Sequence, residues 1–141
     1  MNMIGLKRNL EQKARELIQL FPVVALLGAR QVGKTTLAKT LMPEGKYIDL
    51  ENPDDFNLIQ QSPTLFFDHY PRNIIIGEAQ SYPDLFGILR GVIDSNRNEK
   101  GRFIITGSSS PDLLSHISQT LAGRICIIEQ RVLSKAFELF L

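Results

Sequence analysis

The sequence holds one cysteine, Cys126, in 141 residues. One thiol cannot close an internal disulfide or build a cysteine-based metal site, and it fits a reducing compartment. No apolar run approaches the ~20 residues of a membrane-crossing helix, and residues 1–20 lack the apolar core of a signal peptide. A cytoplasmic protein without membrane contact is the expectation. An excess of charge of one sign is missing too. The net charge of +1 gives no overall pull towards nucleic acid or an anionic surface. No repeat, linker or low-complexity segment interrupts the chain. Hydrophobic and charged contents of 43% and 22% are those of an ordinary globular protein. Residues 1–141 read as a single domain.

Against this plain background one stretch carries chemistry. Gly28-Ala29-Arg30-Gln31-Val32-Gly33-Lys34-Thr35 fits G-x-x-x-x-G-K-[ST]. Before it, Pro22 to Leu27 is a short apolar run that reads as a buried strand. After it, Thr36 to Met42 has helical spacing until Pro43. A strand, a glycine-bounded loop and a helix N-terminus together make a phosphate cradle, because free N–H groups and the helix dipole converge there. Residues 28–36, Thr36 included, are the candidate nucleotide-binding set. Lys34 is expected on the β- and γ-phosphates and the Thr35 hydroxyl on Mg²⁺. No Asn-Lys-x-Asp base-reading motif accompanies the loop, which argues against a GTPase, and no Leu-Ser-Gly-Gly-Gln stretch, which argues against an ABC-type ATPase.

The rest of the chain alternates helix and strand. Leu6, Leu10, Ala14, Leu17, Ile18 and Phe21 recur at spacings of three and four, so residues 1–21 form an amphipathic helix. Its basic residues are interleaved with acids, which favours a solvated face over a nucleic-acid one. Further strands are expected at 46–50, 73–80, 102–108 and 124–129, the last burying Cys126. Helices are expected from Asn52-Pro53, where Asn52 caps and Pro53 occupies the first turn. Others follow from Ser62-Pro63, from Pro83 to about Ser95 and from Pro111 to Leu121. His69 has no partner ligands and reads as a surface histidine. Near-continuous apolar strands separated by helices predict an α/β fold, with a parallel sheet covered on both faces. Ligands bind at the carboxyl ends of such strands, where residues 28–35, Gly77-Glu78 and Thr106 to Ser108 fall. Glu78 is placed to polarise an attacking water, or is a solvated strand-end acid.

These segments also carry a resemblance. The P-loop through Thr36, Tyr47-Ile48-Asp49-Leu50-Glu51, Ile74-Ile75-Ile76-Gly77-Glu78-Ala79-Gln80, Gly101 to Ser110 and Ser118 to Arg124 resemble the archaeal-type (AAA_14-like) family of AAA-domain ATPases. The resemblance implies a P-loop NTPase with a five-stranded parallel sheet ordered 5-1-4-3-2. It implies ATP and Mg²⁺ as cofactors, Glu78 as water activator and Ser108 as a sensor. Arg124 becomes an arginine finger or phosphate sensor, or else a strand-start arginine in a surface ion pair.

Two departures stand out. The usual Asp of the family's Asp-Glu pair is Gly77, so no carboxylate there can orient a Mg²⁺ shell. Hydrolysis is expected to suffer more than binding, and Gly77→Asp is expected to restore it if the carboxylate alone is missing. Family members also continue past the fifth strand into C-terminal domains, whereas this chain stops at the apolar Phe137-Glu138-Leu139-Phe140-Leu141. That tail has nothing after it to pack on, so a truncated product, or association with another copy or a partner protein, is expected. Three readings follow: a Mg²⁺-dependent ATPase, a nucleotide-binding module without turnover, and an inactive remnant of a longer ATPase.

Overall fold

A computed structural model describes the backbone of residues 3–29, 33–130 and 136–140, and the side chains of 9–29 and 33–130. Strand β1 (Val23–Gly28) is buried at every position and lies between β4 (Phe103–Gly107) and β5 (Ile125–Gln130), parallel to both. Beyond β4 come β3 (Ile74–Gly77) and β2 (Lys46–Asp49), also parallel. The order of these five is 2-3-4-1-5, the expected order read from the other edge. All their carboxyl ends therefore share one rim, which is where the polar tips collect.

A sixth strand corrects the reading of the C-terminus. Residues Ala136–Phe140 form β6, paired antiparallel to β5 with Cys126 opposite Phe140 and Gln130 opposite Ala136. The tail expected to lack a packing partner is thus hydrogen-bonded along an edge of the sheet. Closing that edge satisfies backbone groups that β5 would otherwise present.

Helices cover both faces. On one, α1 (Met3–Ile18) and α2 (Lys34–Leu41) bury Ala14, Leu17 and Ala38 against Val24, Leu26, Ile75, Ile104, Cys126 and Ile128. On the other, α3 (Pro53–Gln60), α4 (Pro63–His69), α5 (Leu85–Asp94) and α6 (Pro111–Leu121) pack over Ala25, Leu27, Ile48, Ile76 and Ile105. The two residue sets alternate along each strand, as a period of two requires. Such continuously buried strands are why the sequence shows apolar runs rather than alternation.

Local chemistry sets the boundaries. Asn52 caps α3 as expected, its Oδ1 accepting from the N–H of Asp54 at 2.9 Å and of Asp55 at 3.4 Å. Asn52→Ala is expected to cost about 1 kcal/mol and to lower the melting midpoint by several degrees in a circular-dichroism melt. Helix α2 starts at Lys34 rather than at Thr36, so the lysine sits in its first turn. Strand β3 is shorter than expected, because the chain leaves extended geometry at Glu78 and makes a short 3-10 turn over Ala79–Ser81. At the amino-terminal rim, buried Arg102 donates to the carbonyls of Pro71 and Val92 at 3.0–3.1 Å, pinning the loop before β3 and the last turn of α5 under the sheet.

Candidate nucleotide site at the carboxyl rim

Strand β1 delivers Gly28 to the rim, and α2 leaves from Gly33, its N-cap at φ 82° and ψ 25°. That left-handed backbone costs a residue with a Cβ about 1–2 kcal/mol. An added Cβ would meet nothing within 4 Å, so the requirement for glycine at this position is conformational rather than steric. Gly28 is buried, while Ala29 and Thr36 are exposed. Arg30, Gln31 and Val32, also named from the sequence, lie outside the described residues.

Lys34 turns inward and is 3% exposed. Its Nζ donates to the carbonyl of Gly28 at 2.7 Å and of Gly107 at 2.8 Å. These carbonyls cap the neighbouring strands β1 and β4, where Leu27 pairs with Gly107. A buried ammonium is costly unless its donors are used, and two strand tips use them here. The cation lies in the first turn of a helix whose dipole is positive at that end. Charge and free amides together favour an anion.

Glu78 stands at the tip of β3 with φ 57° and ψ 50°. A non-glycine residue held in this region stores about 1–3 kcal/mol, and such strain clusters at functional sites. Its Oε2 accepts from Nε2 of Gln80 at 2.7 Å, and Oε1 of Gln80 accepts from the N–H of Ser108 at 3.2 Å. One side-chain amide therefore ties the carboxylate to the tip of β4. Gly107 makes the room for it, since a Cβ there would stand 2.7 Å from Gln80 Oε1 and 3.0 Å from Leu113 Cδ2. The structure thus brings Gly28, Gly33, Lys34, Glu78 and Ser108 to one rim, with Thr35 half-buried on the first turn of α2.

Magnesium fits this set poorly. Thr35 offers a hydroxyl, but position 77 of β3 is glycine and offers nothing. A Cβ placed there would lie 2.6 Å from the phenol oxygen of Tyr47. Among the described residues no group of three His, Cys, Asp or Glu side chains is arranged to hold a metal ion. The donor pair of hydroxyl and strand-end carboxylate that the resemblance implies is not here.

Arg124 lies elsewhere. It precedes β5, and its carbonyl accepts from the N–H of Val23 at the start of β1, so it belongs to the amino-terminal rim. Six residues of strand, about 20 Å at ~3.3 Å per residue, separate it from the phosphate loop. Its guanidinium is committed to Asp94 through Nε at 2.7 Å and Nη2 at 3.0 Å. Those hydrogen bonds hold the Asp94 carboxyl below its ordinary range. Of the two sequence readings of Arg124, the ion pair is the arrangement found, and this residue does not join its own chain's phosphate site.

Two residues that the sequence did not mark complete the site. Gln80 is a polar residue two places after a candidate acid, at a point where the strand was expected to continue. Tyr47 shares by strand alternation the face that carries Gly77. Its register on β2, opposite Ile75, brings it beside Gly77. Beside Gln80, a groove of about 430 Å³ opens between α6 and the start of α5, lined by Pro83, Phe86, Leu113, His116 and Gln119.

Comparison with known proteins agrees with this geometry. Residues 20–137 match the family AAA_14, described as an AAA domain. Two uncharacterized proteins, from Mycobacterium tuberculosis and Mycobacterium bovis, are each 40% identical to the chain over 126 residues. The match takes in 87% of this chain and 28% of each relative. The chain therefore spans less than a third of the length of the curated relatives it matches.

Proposed function

Because the chain belongs to the AAA_14 family of AAA domains, we propose that it binds ATP on the loop between β1 and α2 and hydrolyses it slowly. The observation that carries this reading is the Lys34 ammonium, buried at a helix start and bridging the tips of β1 and β4. A triphosphate entering the loop offers the ammonium anionic oxygens in place of the two neutral carbonyls, an opposite-charge pairing that a desolvated cation favours. Glu78, held by Gln80, is the group that accepts a proton from water near the terminal phosphate. Ser108 marks the tip of β4, which Gln80 couples to that carboxylate. With no strand-end carboxylate at 77 to join the Thr35 hydroxyl around a metal, the water-directed chemistry rests on Glu78 alone.

A second reading is favoured by Gly77 and Tyr47. In it the site holds ATP without turnover, and occupancy itself signals to the rest of a longer protein. Calorimetric titration with ATP, followed by phosphate release at saturating ATP, separates the two. Binding with release well below the ~10 s⁻¹ typical of enzymes is expected. Binding with no release at all selects the second reading, and absence of binding overturns both.

A further inference from the structure

The space beside Gly77 is filled, and by a particular side chain. Tyr47 of β2, Ile75 of β3 and Ile104 of β4 pack with Ala38 on the face that α2 covers. By strand alternation Asp49, Gly77 and Thr106 share that face. The Tyr47 ring runs towards the rim, so that a Cβ at 77 would stand 2.6 Å from Oη, 3.0 Å from Cζ and 3.1 Å from Cε2. Thr35 lies on the first turn of α2, the helix that covers this face. One turn further along α2, the Lys39 ammonium lies 4.7 Å from the ring centroid, a cation–π contact that holds the ring in place.

The other flank of Gly77 supplies an independent observation. Ile76 pairs with Ile105, so the next residues, Gly77 and Thr106, are neighbours across the two strands. Thr106 is completely buried, and its Oγ1 has no hydrogen-bond partner. Buried hydroxyls are rarely left so, because the lost hydration is not recovered. A carboxylate at 77 would stand beside Thr106 on β4.

We infer that Tyr47 takes the place of a strand-end carboxylate: its ring fills the space beside Gly77, held there by Lys39, and Thr106 is left without the partner that a carboxylate at 77 would be. Burial pushes the phenol pKa upward, and the carboxylates of Asp49, Glu78 and Asp55 add to the rise. The phenol is therefore a neutral hydroxyl at physiological pH. It follows that Gly77 and Tyr47 form a coupled pair. The sequence suggests that Gly77→Asp alone restores a metal site, but the structure places the phenol where that side chain would start. Moving the ring aside would break the Lys39 contact.

The inference deepens the ATP reading and depends on it for its ligand measurements only. The test compares Tyr47→Phe, Gly77→Asp, Tyr47→Ala and the double variant Tyr47→Ala/Gly77→Asp with the wild-type chain. Each is melted without ligand and titrated with ATP, once in Mg²⁺ and once in a chelator. Gly77→Asp is expected to lower the melting midpoint in the wild-type background, and to leave it unchanged or raise it when Tyr47 is alanine. Tyr47→Phe keeps the ring and is expected to melt like the wild type. Only the double variant is expected to gain affinity on addition of Mg²⁺, by about tenfold or more. Equal midpoint shifts in both backgrounds, or, in a wild type that binds ATP, a double variant with no gain in Mg²⁺, would overturn the inference. Should the wild type fail to bind ATP, the functional reading falls while the melts still decide the pairing.

Discussion

Lys34→Ala is expected to weaken ATP binding by about a hundredfold, the largest effect of any single substitution in the site. The expectation comes from what the ammonium does in both states. Without ligand it satisfies the carbonyls of Gly28 and Gly107; with ligand it supplies the positive charge at the start of α2. Alanine removes both, so the variant is also expected to be less stable. Two buried carbonyls lose their donor, at about 1–3 kcal/mol for each group left unsatisfied, and the lysine stem leaves a void. Lys34→Met separates the two consequences. The methionine fills the space without a donor, so it recovers stability but not affinity. Titration calorimetry and thermal melts on the three proteins check this. An affinity for ATP within about threefold of the wild type in both variants would remove the lysine, and with it the phosphate cradle, from the site.

Much of that cradle was legible before any coordinates, because its chemistry is local. An apolar run, two glycines five apart, a lysine and a helical period lie within residues 22–42, and each constrains its neighbours. The Asn52 cap was legible for the same reason. What escaped was long-range. Tyr47 is thirty residues from Gly77 in sequence, and nothing in either segment reports that the register of β2 sets a phenol beside the tip of β3. From the sequence Gln80 reads as the end of a strand, because the apolar run gives no reason for extended geometry to stop at Glu78. The left-handed backbone at Glu78 breaks it, and no propensity foretells a strained glutamate. Strand β6 was hidden by the assumption that an apolar tail seeks another surface, when an open sheet edge next to it was the nearer one.

Arg124 is the instructive case, since the physical argument for its position was available in the sequence. A residue that opens a strand in a parallel sheet lies at the amino-terminal rim, a full strand length from any ligand at the carboxyl rim. The family motif around it suggested a phosphate contact, and the geometry of the sheet argues for the Asp94 pair that is found.

The second large effect is expected at Glu78. Glu78→Gln keeps an oxygen for the Gln80 amide to donate to, so the 2.7 Å tie and the strained backbone both have reason to persist. What the substitution removes is the basicity. If Glu78 takes the proton from water, phosphate release falls by about a hundredfold or more, while ATP affinity stays within about threefold or improves, since one negative charge is gone from beside the phosphates. That pattern is the inverse of the one expected for Lys34→Ala, where binding fails first. Measured together at saturating ATP, the two variants assign separate work to the two sides of the rim: α2 and the β1–β4 tips hold the anion, and the β3 tip acts on water. Release that survives Glu78→Gln unchanged would detach turnover from this carboxylate. The strain at φ 57° and the Gln80 bridge to Ser108 would then serve the shape of the rim rather than its chemistry, and a site that holds ATP without consuming it would be the better description of the domain.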